Sequence, residues 1–108
     1  MIALISDNLE AIRALCRKHR IARLDLFGSA AKGTFDPATS DLDFLIDAGS
    51  AIPGEPWRVI DFALDLEHLL GRSVHLSPMN GMKNRYFIAS VNESRENLYD
   101  ARDREAAA

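Results

Sequence analysis

The feature that most constrains this chain is the stretch Leu26 to Ile46, LFGSAAKGTFDPATSDLDFLI. Leu24-Asp25-Leu26-Phe27 reads as a strand that ends at Gly28-Ser29. Ala30-Ala31-Lys32-Gly33 then gives a short helical turn, followed by a loop through Asp36-Pro37. A second strand starts near Asp41. Side chains on a strand alternate between faces, so Asp41 and Asp43 point one way while Leu42, Phe44 and Ile46 point the other way, into a core. Two carboxylates about 6–7 Å apart along a strand can share one or two hard cations such as Mg²⁺.

The Gly-Ser end suits the other half of such a site. Gly28 lets the backbone approach a ligand closely. The turn after it offers unpaired N–H groups that favour phosphate, and the Ser29 hydroxyl adds a donor. Taken singly, a Gly-Ser after a strand is common and an Asp-x-Asp is often a solvated face. The two in this order, within the 16 residues from Gly28 to Asp43, are much rarer by chance. A phosphate cradle beside a carboxylate pair is what a metal-bound triphosphate needs.

The rest of the chain supplies a frame. Asp7 with Glu10 reads as an N-cap with a partial capping box. Leu9, Ile12, Leu15 and Cys16 follow at helical spacing, with Arg13, Arg17, Lys18 and Arg20 on a solvated side and His19 as an ordinary helix-end residue. Gly49 to Pro56 is a loop. Trp57 to Leu70 reads as an amphipathic helix. Val59, Phe62, Ala63, Leu66, Leu69 and Leu70 form its buried stripe, and Arg58, Asp61, Asp65 and His68 its wet face. Trp57 and Ile60 flank the stripe and are assigned to the core, with contact to a partner as the alternative, and Gly71 is assigned to the helix stop. Ser73 to Ser77 is a third strand with Val74 and Leu76 facing the core and His75 facing the carboxylates. Met82 to about Arg95 reads as a last helix with Phe87 and Val91 at i, i+4. Asn97-Leu98-Tyr99 either extends it or forms an edge strand, and Arg102 to Ala108 is expected to fray. The order predicts an α/β (α+β) domain: one unit over 1–108, a small mixed β-sheet with helices mainly on one face, and the site at a sheet edge open to solvent.

Composition narrows the class. With 108 residues, 47% apolar and 27% charged, the chain fits a single globular domain. No apolar run is long enough to span a membrane. The amino terminus lacks the basic residues of a signal peptide, so a cytoplasmic location is the default. The lone Cys16 excludes a disulfide framework and reads as a core residue. A net charge of −3 with scattered basic residues argues against general nucleic-acid binding.

The GS…DLD pattern resembles the DNA polymerase β-type nucleotidyltransferases, whose signature is GS, a spacer, then D-x-D. The fuller spelling LFGSAAKG…DP..SDLDFLI, continuing through GRSVHL, KNRYF and LYDA, resembles the minimal nucleotidyltransferases (MNT) over nearly the whole chain. The resemblance implies that Gly28 and Ser29 hold the β- and γ-phosphates of ATP and that Asp41 and Asp43 bind two Mg²⁺ ions. Lys32, where the family often has arginine, reaches a phosphate as a point charge. It also implies a HEPN-family toxin as partner, silenced by AMP transfer onto a tyrosine. One position departs: the family's V-D-L segment reads Val74-His75-Leu76, so a histidine holds the place of the third carboxylate, and Asp47 is the nearest substitute. Two functions therefore stand: an adenylyltransferase antitoxin, and a protein of the same fold that neutralises a partner by binding. An enzyme acting on an antibiotic or an RNA end is a weaker third.

Overall fold

The computed structural model describes residues 2–32, 41–81 and 84–102. The expectations for the loop through Asp36-Pro37, for Met82 as a helix start and for the tail beyond 102 fall outside the described residues. Within them the order is α1 (Ala3–Ser6), α2 (Leu9–Lys18), β1 (Arg23–Phe27), α3 (Ser29–Lys32), β2 (Leu42–Asp47), α4 (Arg58–Leu70), β3 (Val74–Pro78), a 3₁₀ turn (Met79–Gly81), α5 (Arg85–Ser94) and β4 (Glu96–Asp100). None of these helices is long and apolar enough to cross a membrane.

The strands form one mixed sheet in the order β3-β2-β1-β4. β1 pairs antiparallel with both β2 and β4, and β2 pairs parallel with β3. Alternation divides the sheet into two faces. Leu24, Leu26, Leu42, Phe44 and Ile46 enter the main core with Ile5, Ile12 and Cys16 of α1 and α2 and with Phe62, Leu66 and Leu70 of α4. On the opposite face, Phe27 and Leu45 meet Val91 of α5 and Met79, and Phe87 stacks edge-on against Phe27 at 5.9 Å. Helices thus lie mainly on one face, as the pattern predicts, and α5 crosses the other. Burial pushes the Cys16 thiol up to about 12, which makes it an inert core group.

The segment left open at Asn97-Leu98-Tyr99 is the edge strand β4. A bulge in its pairing sets Leu24 opposite Tyr99 but Asp25 opposite Asn97. The skipped Leu98 turns into the core beside Tyr99, so the bulge buries two consecutive apolar side chains and aims Asn97 at Asp25.

Four expectations are corrected. The capping box does not form. Ile5 is drawn into the core, which winds residues 3–6 into a helical turn ending at Asp7. α2 then starts after Asn8 without a side-chain cap, and Glu10 pairs with Arg13 instead. Arg58, expected on the wet face, is buried. Its guanidinium donates to the carbonyls of His19, Arg20, Ala48 and Ser50 at 2.8–3.1 Å, closing the end of α2 and the loop after β2 onto α4. A planar five-donor group suits several carbonyls at once. Trp57 and Ile60, assigned to the core, are 65% and 52% exposed, and Leu64 joins them at 57%. The face of α4 that meets the sheet is narrow, following Phe62, Leu66 and Leu70. His19 is more than a helix end, for it bonds Asp65 at 2.7 Å and sits edge-on to Phe62. Together with Lys18 it holds the Asp65 carboxyl below its ordinary range.

Candidate active site

β1 delivers its carboxyl end and β2 its amino end to the same place, because the two strands run antiparallel with Phe27 opposite Asp43. Gly28 follows β1 with φ of +75° and leads straight into α3. A Cβ on Gly28 would stand 2.8 Å from Oδ2 of Asp43. Glycine is therefore required twice, for the left-handed backbone and for the space beside the carboxylate. The Gly28 N–H donates to Ser94 Oγ at 3.3 Å, which ties the turn to the end of α5. Ser29 and Lys32 open and close α3, so the backbone sets both next to this turn.

Asp41 lies just before β2 and is exposed, while Asp43 is partly buried. Parallel pairing of β2 with β3 puts His75 directly beside Asp43, on the same face. Nδ1 of His75 stands 3.5 Å from Oδ1 of Asp43. Desolvation raises the Asp43 pKa above the ordinary aspartate value. The His75 hydrogen bond and charge oppose that shift, and the neighbouring Asp41 charge adds to it. A carboxyl with a raised folded pKa holds its proton more tightly in the folded chain than in the unfolded one. Ionised Asp43 thus lowers stability at neutral pH, and the loss is relieved as pH falls through that pKa or when a cation binds.

The geometry sets Gly28 and His75 against Asp43, with Asp41 two residues earlier just before β2, and supplies no third acid. Asp47 is not the substitute. It sits at the far end of β2 opposite Arg23, about 13 Å from Asp43 along the strand, and accepts from the Gly49 N–H. Asp25, which sequence reasoning passed over, shares this face but is fully buried. Arg23, Arg95 and Asn97 all bond it. Among the described residues, no three His, Cys, Asp or Glu side chains converge as a metal site. The donor set therefore fits one divalent cation that draws the rest of its shell from phosphate and water. It does not fit a second hard cation held by a third carboxylate.

A sequence model of the nucleotidyltransferase domain matches residues 9–98. The chain belongs to this nucleotidyltransferase family. A search of curated proteins finds no match. Among solved structures, one described as a minimal nucleotidyltransferase aligns at 28% identity and a TM-score of 0.66, over 85% of this chain and 90% of that one. Two more distant structures show the shared fold. A toxin–antitoxin complex with AMP-PNP aligns at 23% identity and TM-score 0.63, over 86% of this chain and 73% of that one. A tri-AMPylated Shewanella oneidensis HEPN toxin in complex with MNT antitoxin aligns at 19% and 0.60, over 94% and 77%. The nucleotidyltransferase thus has its structural neighbours among MNT antitoxins.

Replacing Gly28 with alanine is expected to cost about 1–3 kcal/mol from the left-handed backbone alone. The added methyl also displaces the Asp43 carboxylate. Thermal melts should show the loss, and ATP affinity should fall with it. Wild-type stability in Gly28→Ala would contradict this close approach.

Proposed function

We propose that this nucleotidyltransferase is an antitoxin that transfers AMP from ATP to a HEPN-family toxin and so neutralises it. The observation that carries the reading is the Gly28–Asp43 juxtaposition: a glycine turn without space for a Cβ, pressed against a partly buried carboxylate. In this reading Gly28 and Ser29 hold the terminal phosphates, and Lys32 adds positive charge. Asp41 and Asp43 hold the divalent cation, which when bound neutralises the triphosphate and polarises the transferring phosphorus. The acceptor hydroxyl oxygen bonds to the α-phosphorus as the bond to the bridging oxygen breaks. Pyrophosphate leaves, and the hydroxyl proton passes to solvent at the open sheet edge. In this reading the partner supplies the acceptor hydroxyl.

His75 favours a second reading, neutralisation by contact with weak or no catalysis. It brings no fixed negative charge and is a poor Mg²⁺ ligand, and it stands where a third acid would complete a two-cation site. Asp43→Asn separates the readings when co-expressed with the product of the adjacent gene. Loss of protection with the complex retained means chemistry. Full protection means binding. Failure to bind any neighbouring gene product overturns both.

A further inference from the structure

We infer that the outer face of α4 is a self-complementary interface on which two copies of this chain pair antiparallel. α4 turns Phe62, Leu66 and Leu70 into the core. At about 100° per residue, Leu64 stands at the centre of the opposite face. Trp57 lies about two turns before it on that face and Gly71 about two turns after it, with Ile60 on one flank. Among the described residues, three of the five large apolar side chains left exposed are Trp57, Ile60 and Leu64. Their spacing of i, i+3 and i+7 is the pattern by which one helix seats against another.

The polar residues along this stripe say what covers it. Asp61 and His68 lie on the flank away from Ile60, one on each side of Leu64 along the helix, and both are exposed. Neither side chain has a hydrogen bond or ion pair with another described residue. A twofold axis at Leu64 packs that leucine against its copy. It also sets Asp61 of each chain opposite His68 of the other, so one acid–base contact is made twice by symmetry. The same axis brings Trp57 over Gly71 of the second copy. Nothing stands within 4 Å of where a Cβ on Gly71 would be, so the indole has room there. Glu67 falls on the Ile60 flank, where it accepts from the Val74 N–H, and so does not meet Asp61 of the second copy. α4 covers the sheet face that carries Leu42 and Phe44, while Asp43 points to the other face. Pairing through α4 therefore leaves both Gly28–Asp43 turns open. Three large side chains fall short of the roughly 800 Å² per partner of a stable interface, so the dimer is a weak one, dissociating in the micromolar range.

The test uses the protein alone, without nucleotide or toxin, so it stands or falls apart from AMP transfer. Sedimentation across the micromolar to millimolar range should show a monomer passing to a dimer. Trp57 is the only tryptophan of the chain, so its emission should shift to the blue over the same range. Leu64→Asp should weaken pairing by about tenfold or more. His68→Glu sets two acids face to face and should weaken it by about threefold or more, and adding Asp61→Lys should restore it. These side chains are exposed, so thermal melts of the dilute variants should match the wild type. A wild type that stays monomeric throughout, or a dimer that survives Leu64→Asp, would overturn the inference. So would a double variant no better than His68→Glu, which denies the antiparallel register. A monomeric wild type whose stripe variants lose the complex with the adjacent-gene product would assign the face to that partner instead of a second copy.

Discussion

Replacing Arg95 with alanine is expected to destabilise the domain by about 3–5 kcal/mol, lowering its melting temperature by more than about 10 °C. Arg95 caps the end of α5, and its side chain reaches Asp25 of β1. Its guanidinium bonds the Asp25 carboxylate, the amide oxygen of Asn92 and the sulfur of Met79. Asp25 is fully buried. Without Arg95, its charge is left to Arg23 at 3.2 Å and Asn97 at 2.8 Å, which meet only part of the need. A buried carboxylate that loses a cation pays a desolvation penalty it cannot escape. Asp25→Ala should cost less, because Arg23 and Arg95 are partly exposed and can turn to water. The double variant should cost little more than Asp25→Ala, because without the carboxylate Arg95 has no buried charge left to serve. Urea denaturation of the three variants reads this coupling directly. A loss below about 1 kcal/mol for Arg95→Ala would show that the network is not a support of the fold. The same network lies beside the site, since α5 also supplies Ser94 to the Gly28 N–H. A loosened α5 should therefore weaken nucleotide binding as well as stability.

What could be read from the sequence was what short-range pattern carries. Alternation along Leu42–Ile46 showed which side chains of β2 enter the main core and which leave by the other face, but not that Leu45 on that other face is buried beneath α5. One residue of β3 then followed by the same rule, and His75 stands beside Asp43 as that rule requires. The helical spacing of Phe62, Leu66 and Leu70 likewise found the buried stripe of α4. The errors came where the deciding partner lies far along the chain. Nothing near Asp25 announces that Arg95 and Asn97, some seventy residues on, will enclose it. Nothing in Arg58 signals four carbonyls waiting in the preceding loop and at the end of α2. An arginine opening an amphipathic helix reads as wet, and only tertiary contacts say otherwise. Trp57 and Ile60 erred in the opposite sense. Their apolar character implied burial, but they lie on the side of α4 turned from the sheet. The edge strand β4 was ambiguous because its bulge breaks the alternation that would mark it.

In the proposed function, Gly28, Asp41 and Asp43 bind nucleotide only together with a divalent cation. That dependence has the largest expected effect on function. Asp43 is the carboxylate that stands against Gly28, Asp41 lies two residues before it with its charge felt there, and Asp43 is already partly stripped of water. Removing both charges leaves a triphosphate of several negative charges with no cation to bridge it to the protein. The loss should be large, on the order of a hundredfold or more in affinity, about 2.7 kcal/mol or above. Titration calorimetry with ATP on the wild type and on the Asp41→Asn, Asp43→Asn double variant, each with a divalent cation and with EDTA, measures it. Binding by the wild type that needs the cation, and no measurable binding by the double variant, is the predicted result; equal ATP affinity in the two proteins would contradict the account.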